Sequence, residues 1–275
     1  MPDIVIHGIA SAAYLVLAWH FWRTRWRAAA PATKPRAWER VAVAVPLALH
    51  GALLYPALFT QPELRFGFAQ ALSVMMFLAV LMCWLEAFFF PIESLFPLVL
   101  AAAALCAPLP AFFAGRLSPD AGSFAQSFEF RLHLVFGMLA YSLFTVAMLH
   151  AVLIAKLESR LHAPGLGGPL AQLPPLLSLE RLVFGLIAAA FVVLTATLAF
   201  GILYSEAFSG RAMRFEHKTL FVILSWLIFG LLLAGRWRYG WRGRTALRWT
   251  LTGFVLLMLA YPGSRFVLEV LLHRA

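Results

Sequence analysis

Charge is what this sequence has least of. Asp, Glu, Lys and Arg make up 12% of its 275 residues, while 63% are hydrophobic; that charged share is about half of what an ordinary soluble domain carries, so a water-soluble fold is excluded. Cysteine is nearly as scarce. Cys83 and Cys106 both fall in apolar segments, with no CxxC pair and no CxxCH attachment site, so the chain is neither a thioredoxin-type thiol oxidoreductase nor itself a c-type cytochrome. Walker, GxGxxG, HExxH and strand-borne GxSxG motifs are missing, as are internal repeats and low-complexity tracts.

What remains is hydrocarbon. A helix needs roughly 20 mainly apolar residues to cross a bilayer, and eight windows qualify, near 4–22, 41–60, 66–90, 92–114, 133–155, 181–204, 218–235 and 247–268. They predict an all-α, polytopic transmembrane bundle of about eight helices in which 1–275 is one integral membrane domain. The net charge of +10 would suggest nucleic acid in a soluble protein; here its location decides against that and for membrane lipid. "RTRWRAAAPATKPRAWER" carries six Lys or Arg and "RWRYGWRGRTALR" five. With Lys156, Arg160 and Arg181 this puts 14 of the 22 basic residues on one side, and basic loops stay cytoplasmic. Both termini are then outside. The first segment carries its positive charge after the apolar run, which predicts a retained N-out anchor and not a signal peptide.

Four connections exceed simple turns: 23–40, basic and suited to anionic lipid; 115–132; 156–180, whose Gly and Pro interrupt any helix before "SLER" restarts one; and 205–217. Trp19, Trp22, Trp26, Trp237, Trp241 and Trp249 flank the basic loops, as interfacial anchors do. Gly137, Ala140, Gly185 and Ala189 are small enough to let helices approach closely.

The groups able to carry chemistry are the eight histidines, since ionisable residues in or at a membrane are functional candidates. His133 opens the fifth segment, His217 precedes the seventh and His273 follows the eighth, so three imidazoles share the outer face. That is what a bis-imidazole haem site there would require. His150, 17 residues beyond His133, is about 25 Å away along the same helix, and the two cannot grip one ion. His50 is mid-segment and the most desolvated; His20 and His162 read as interfacial or solvated, and His7 as near the outer end of its helix.

The stretch running from "SEAFSG" through a Lys-led helix ending "SWLIFG", then "GWRGR", to "AYPGSR" resembles the cytochrome c assembly protein family, and within it the YpjD-like inner-membrane branch. "LHLVFGMLAYSLF" is similar to the family's His-led helix, and the likeness covers about 66–273. The resemblance implies a bacterial inner-membrane protein of cytochrome c biogenesis type, not an enzyme, that handles haem at the outer face between two external histidines. His133 matches the first of these, while the second is left open between His217 and His273. Arg131, Arg214 or Lys218 would meet the propionates, and His50 joins the candidate set. Cytochrome c maturation proteins or other inner-membrane proteins are the expected partners. The sequence departs from the family twice. Its Trp-rich stretch is replaced by "RAMRFEHKTLF", and the intramembrane histidine before "GWRGR" is replaced by Ala234 or Gly235. The alternatives are a non-haem accessory protein of a partner complex, or a transporter, for which Glu86 and Glu93 around "FFFPIES" are the nearest feature.

Overall fold

The computed structural model describes residues 2–27, 37–60, 66–113, 128–161, 176–209 and 217–272. Without water in the hydrocarbon layer, a spanning segment must satisfy its own backbone, which leaves the helix as its form here. The described chain is 92% helical without strands, with eight helices long and apolar enough to cross a membrane. Their α-helical parts are α1 (Pro2–Phe21, prolonged by a π turn Trp22–Trp26), α2 (Ala37–Tyr55), α3 (Phe68–Glu86), α4 (Phe96–Cys106, within a span Glu93–Phe112), α5 (Phe128–Leu161), α6 (Leu176–Ser209), α7 (His217–Tyr239) and α8 (Gly243–Met258, within a span Gly243–Leu271). A short turn, Leu109–Phe112, follows α4, and π turns continue α8 to Leu271.

Burial decides the layout. In α5 72% of the spanning window is buried and in α3 61%, against 22% for each of α6, α7 and α8; α3 and α5 are therefore the inner pair. They run parallel and are tied where Ser142 Oγ donates to the Met75 carbonyl at 3.1 Å. The rest alternate in direction around them. His7 and Ser11 of α1 reach the carbonyls of Ala107 and Ala104, Tyr14 meets His50 of α2, and Gly137 of α5 faces Thr197 of α6. Ser225 of α7 donates to the Gly253 carbonyl of α8 at 2.9 Å, and Phe144 of α5 stacks on Phe229 of α7 with ring centres 3.8 Å apart. Two ends result: a His133 end, with Gly67, Gly201, His217 and Tyr261, and a basic end, with Arg25, Arg40, Lys156 and Arg236.

All eight expected spans are present, and most run further than hydropathy marks. α2 starts at Ala37, inside the stretch read as the 23–40 loop, because Glu39 is paired there: Arg25 Nη2 donates to it at 2.7 Å and His20 Nε2 lies 3.1 Å away. A charged turn can stay helical and buried when its charge is met. Two expectations need correction. Gly185 and Ala189 lie on the exposed face of α6, and nothing approaches Gly185 within 4 Å; close approach uses Gly137 and Gly201 instead. Trp19 and Trp237 are exposed, as anchors should be, but Trp26 donates to the Ser94 carbonyl at 2.9 Å and Trp241 turns inward.

That inward turn explains "GWRGR". Gly240 and Gly243 take φ of +65° and +53°, the left-handed region where a Cβ is penalised. The corner they make folds Trp241 over Gly235, so closely that a Cβ on Gly235 would enter its ring. Arg236 donates to the Trp241 carbonyl at 3.1 Å, and Arg242 donates to Glu180 of α6 at 2.9 Å. Overpacking such a contact costs about 1–3 kcal/mol. Gly235→Ala is expected to lower stability by that amount and Gly235→His by more, read as the thermal unfolding midpoint of detergent-purified protein.

Candidate functional site

At the His133 end, α5 and α6 approach closely because both carry glycine. A Cβ at Gly201 would sit 3.2 Å from His133 Cε1, so the imidazole rests on bare backbone. One turn deeper, Gly137 lets Thr197 Cγ2 come to 3.6 Å from where its own Cβ would be, and Phe136 stacks on Phe200. The Thr197 hydroxyl is spent on the Val193 carbonyl at 2.8 Å, which leaves the Thr197 carbonyl facing the ring. It does not close to hydrogen-bond geometry: His133 Nδ1 is a buried atom without a partner among the described residues. A carbonyl that accepted from one ring nitrogen would leave the other as the ligating atom.

His217 is exposed at the first residue of α7. Its depth can be compared with that of His133 through the Phe144–Phe229 crossing. Each histidine lies about three turns, roughly 17 Å, from that contact, so the two sit at matched height on separate helices. Lys218 follows, half-buried. Arg131 lies two residues ahead of His133 on α5. Arg214 and His273 lie outside the described residues.

His50 sits elsewhere. It is fully buried in α2, with Nε2 at 2.8 Å from Ser73 Oγ and Nδ1 at 3.4 Å from the Tyr14 hydroxyl. Both of its nitrogens are engaged by neighbours that link α1, α2 and α3. Among the described residues no three His, Cys, Asp or Glu gather as metal ligands. A porphyrin supplies four ligands itself and asks the protein for one or two, so an isolated, oriented imidazole such as His133 fits haem better than it fits a bare ion.

Sequence reasoning missed the residues that frame this end. Glu269, on the continuation of α8, accepts from the Phe68 amide at 3.4 Å, placing a carboxylate at the positive N-terminus of α3. The Gly67 amide donates to Gln70 at 3.2 Å, and the Tyr261 hydroxyl donates to the Phe66 carbonyl at 2.8 Å. Pro262 removes an amide from the continuation of α8, and Ser264 Oγ donates to the Ala260 carbonyl at 2.8 Å. The only signal was "AYPGSR" itself, which says nothing of a partner nearly 200 residues upstream. Removing a carboxylate from a helix N-terminus costs about 0.5–2 kcal/mol. Glu269→Ala should therefore lower the unfolding midpoint and speed amide exchange at Phe68 and its neighbours, measured by hydrogen–deuterium exchange mass spectrometry.

Residues 38–272 match the profile of the family described as Cytochrome C assembly protein. The chain is 41% identical over 144 residues to an uncharacterized 28.8 kDa protein in the nifR3-like 5' region of Azospirillum brasilense, a match covering 51% of this chain and 52% of that protein. It is 31% identical over 140 residues to inner membrane protein YpjD of Escherichia coli K12, again 51% and 52%. A cytochrome c biogenesis protein CcsA of Prochlorococcus marinus is 29% identical over 89 residues, 32% of this chain and 29% of that protein. The chain thus spans about half the length of the first two relatives. No solved structure matches it.

Proposed function

The chain belongs to the cytochrome c assembly protein family, and from that premise we propose that it holds haem at the extracytoplasmic end of a multi-pass inner-membrane bundle, with His133 as an axial ligand. The observation that carries this reading is His133 itself. It is an imidazole seated on glycine and facing the Thr197 carbonyl, and its buried Nδ1 has no hydrogen-bond partner among the described residues. The excess of basic residues at the opposite end supports placing His133 outside. His217, at matched depth, is the second ligand of choice, with His273 as its competitor. Arg131, Arg214 and Lys218 are near enough in sequence to these ligands to meet propionates through charge-assisted bonds.

Bound haem would supply the iron and redox chemistry; this chain's residues contribute ligation, orientation and exclusion of water. The missing Trp-rich stretch separates this role from direct transfer of haem to an apocytochrome. Partners from cytochrome c maturation follow from the reading. The names of the relatives, one an inner membrane protein and one a cytochrome c biogenesis protein, agree with it.

Detergent-purified protein is expected to show a Soret band, or to gain one with added haemin, and His133→Ala should lose at least nine-tenths of it. Removing the second imidazole, by His217→Ala or by His273→Ala, should leave haem bound but convert a low-spin spectrum to a high-spin one. A protein that stays colourless with haemin overturns the proposal and favours the non-haem accessory reading, while a His133→Ala variant that binds as wild type does overturns the assignment of His133 as an axial ligand.

A further inference from the structure

A pair of unmet polar atoms lies near the basic end, between the two innermost helices. Glu86 is the last residue of α3, its side chain 13% exposed, and His150 of α5 is 1% exposed. Glu86 Oε2 and His150 Nε2 face each other at 3.6 Å, and neither has a hydrogen-bond partner among the described residues.

The tautomer of His150 is fixed by its other nitrogen. Nδ1 lies 2.9 Å from the Val146 carbonyl, and a carbonyl only accepts, so Nδ1 carries hydrogen. In the neutral ring Nε2 is then a bare lone pair. An ionised Glu86 would oppose that lone pair with another, inside a bundle where unpaired polar atoms are costly. A bridging water does not resolve the conflict, since two hydrogen bonds of about 2.8 Å meeting at a tetrahedral angle span roughly 4.5 Å. Nor do nearby cations. Arg25 and Arg40 act on Glu93, Arg40 also donates to the Ala87 carbonyl at 3.0 Å, Arg25 pairs with Glu39, and Lys156 lies over the Trp26 ring at 4.2 Å. The one titratable neighbour on α3 is the fully buried thiol of Cys83, which brings no positive charge. The carbonyls at the C-terminus of α3 add negative potential at Glu86.

We propose that Glu86 and His150 form an interhelical proton-binding site, in which one proton is held between the carboxylate and Nε2. The proton sits on Oε2 and hydrogen-bonds to Nε2, or sits on Nε2 and hydrogen-bonds to Oε2. Either way the pair has no net charge, and losing the proton to water leaves one negative charge on it. The site is independent of the haem proposal: His150 stands about 25 Å from His133 along α5.

The test is infrared spectroscopy of the full-length protein in lipid nanodiscs at neutral pH, in H2O and D2O, with and without ring-labelled histidine. Wild type should show a deuterium-sensitive band of a protonated carboxyl, or an imidazolium band that moves with the label. Glu86→Gln and His150→Gln should each abolish it while unfolding within a few degrees of wild type, because either amide N–H replaces the shared proton. Glu86→Ala should unfold clearly earlier. A wild-type spectrum with an ionised carboxylate and neutral imidazole at this site overturns the proposal even if no variant folds. So does one equivalent of bound metal, found by elemental analysis and lost in both Gln variants.

Discussion

Every polar side-chain atom between these helices must find its partner within the bundle, on its own helix or on another, because hydrocarbon offers none. That constraint accounts for the plan of the bundle. Ser142 ties the parallel inner pair by its bond to Met75, His50 joins three helices through Tyr14 and Ser73, and Glu39 gathers Arg25 and His20 from the end of α1. Each of these bonds is worth about 1 kcal/mol net, yet leaving one unmade costs up to about 3 kcal/mol. Their larger effect is on register: a helix that slid by one residue would orphan several groups at once.

Against that background the exceptions carry information. Most buried side-chain atoms are matched, so an unmatched imidazole marks a place where packing alone does not explain the residue. His133 and His150 are both of this kind, on one helix and at opposite ends of it. The rigidity of α5, the most buried element, keeps the two sites apart and gives them different surroundings. One ring rests on glycine near the end of its helix with a nitrogen to spare, and the other is closed in against a carboxylate.

The spans were legible in the sequence because eight apolar runs of sufficient length leave no other conformation in hydrocarbon. His50 was legible as deeply buried for the same reason, lying mid-run. The polar ends of helices were not, since hydropathy reads Arg25 and Glu39 as loop when their pairing keeps them helical. The framing of the His133 end was hidden too. Glu269 at the start of α3 and Tyr261 on Phe66 are contacts across 201 and 195 residues of chain, and no local pattern encodes them. His150 was set aside as too distant from His133; its partner Glu86 lies on another helix, and only the three-dimensional arrangement brings them together.

The departures from the family pattern can now be given physical content. Where the resemblance leads one to expect an intramembrane histidine before "GWRGR", this chain has Ala234 or Gly235; Gly235 lies under Trp241, and the corner that holds Trp241 there is fixed by two left-handed glycines and by the Arg236 and Arg242 bonds. An imidazole at position 235 would need the volume that the indole fills. At position 235, then, the indole of Trp241 takes the space that a second ring would need. Position 235 therefore offers no imidazole, and the proposed haem site rests on the His133 end, where a glycine of α6 lies under the ring.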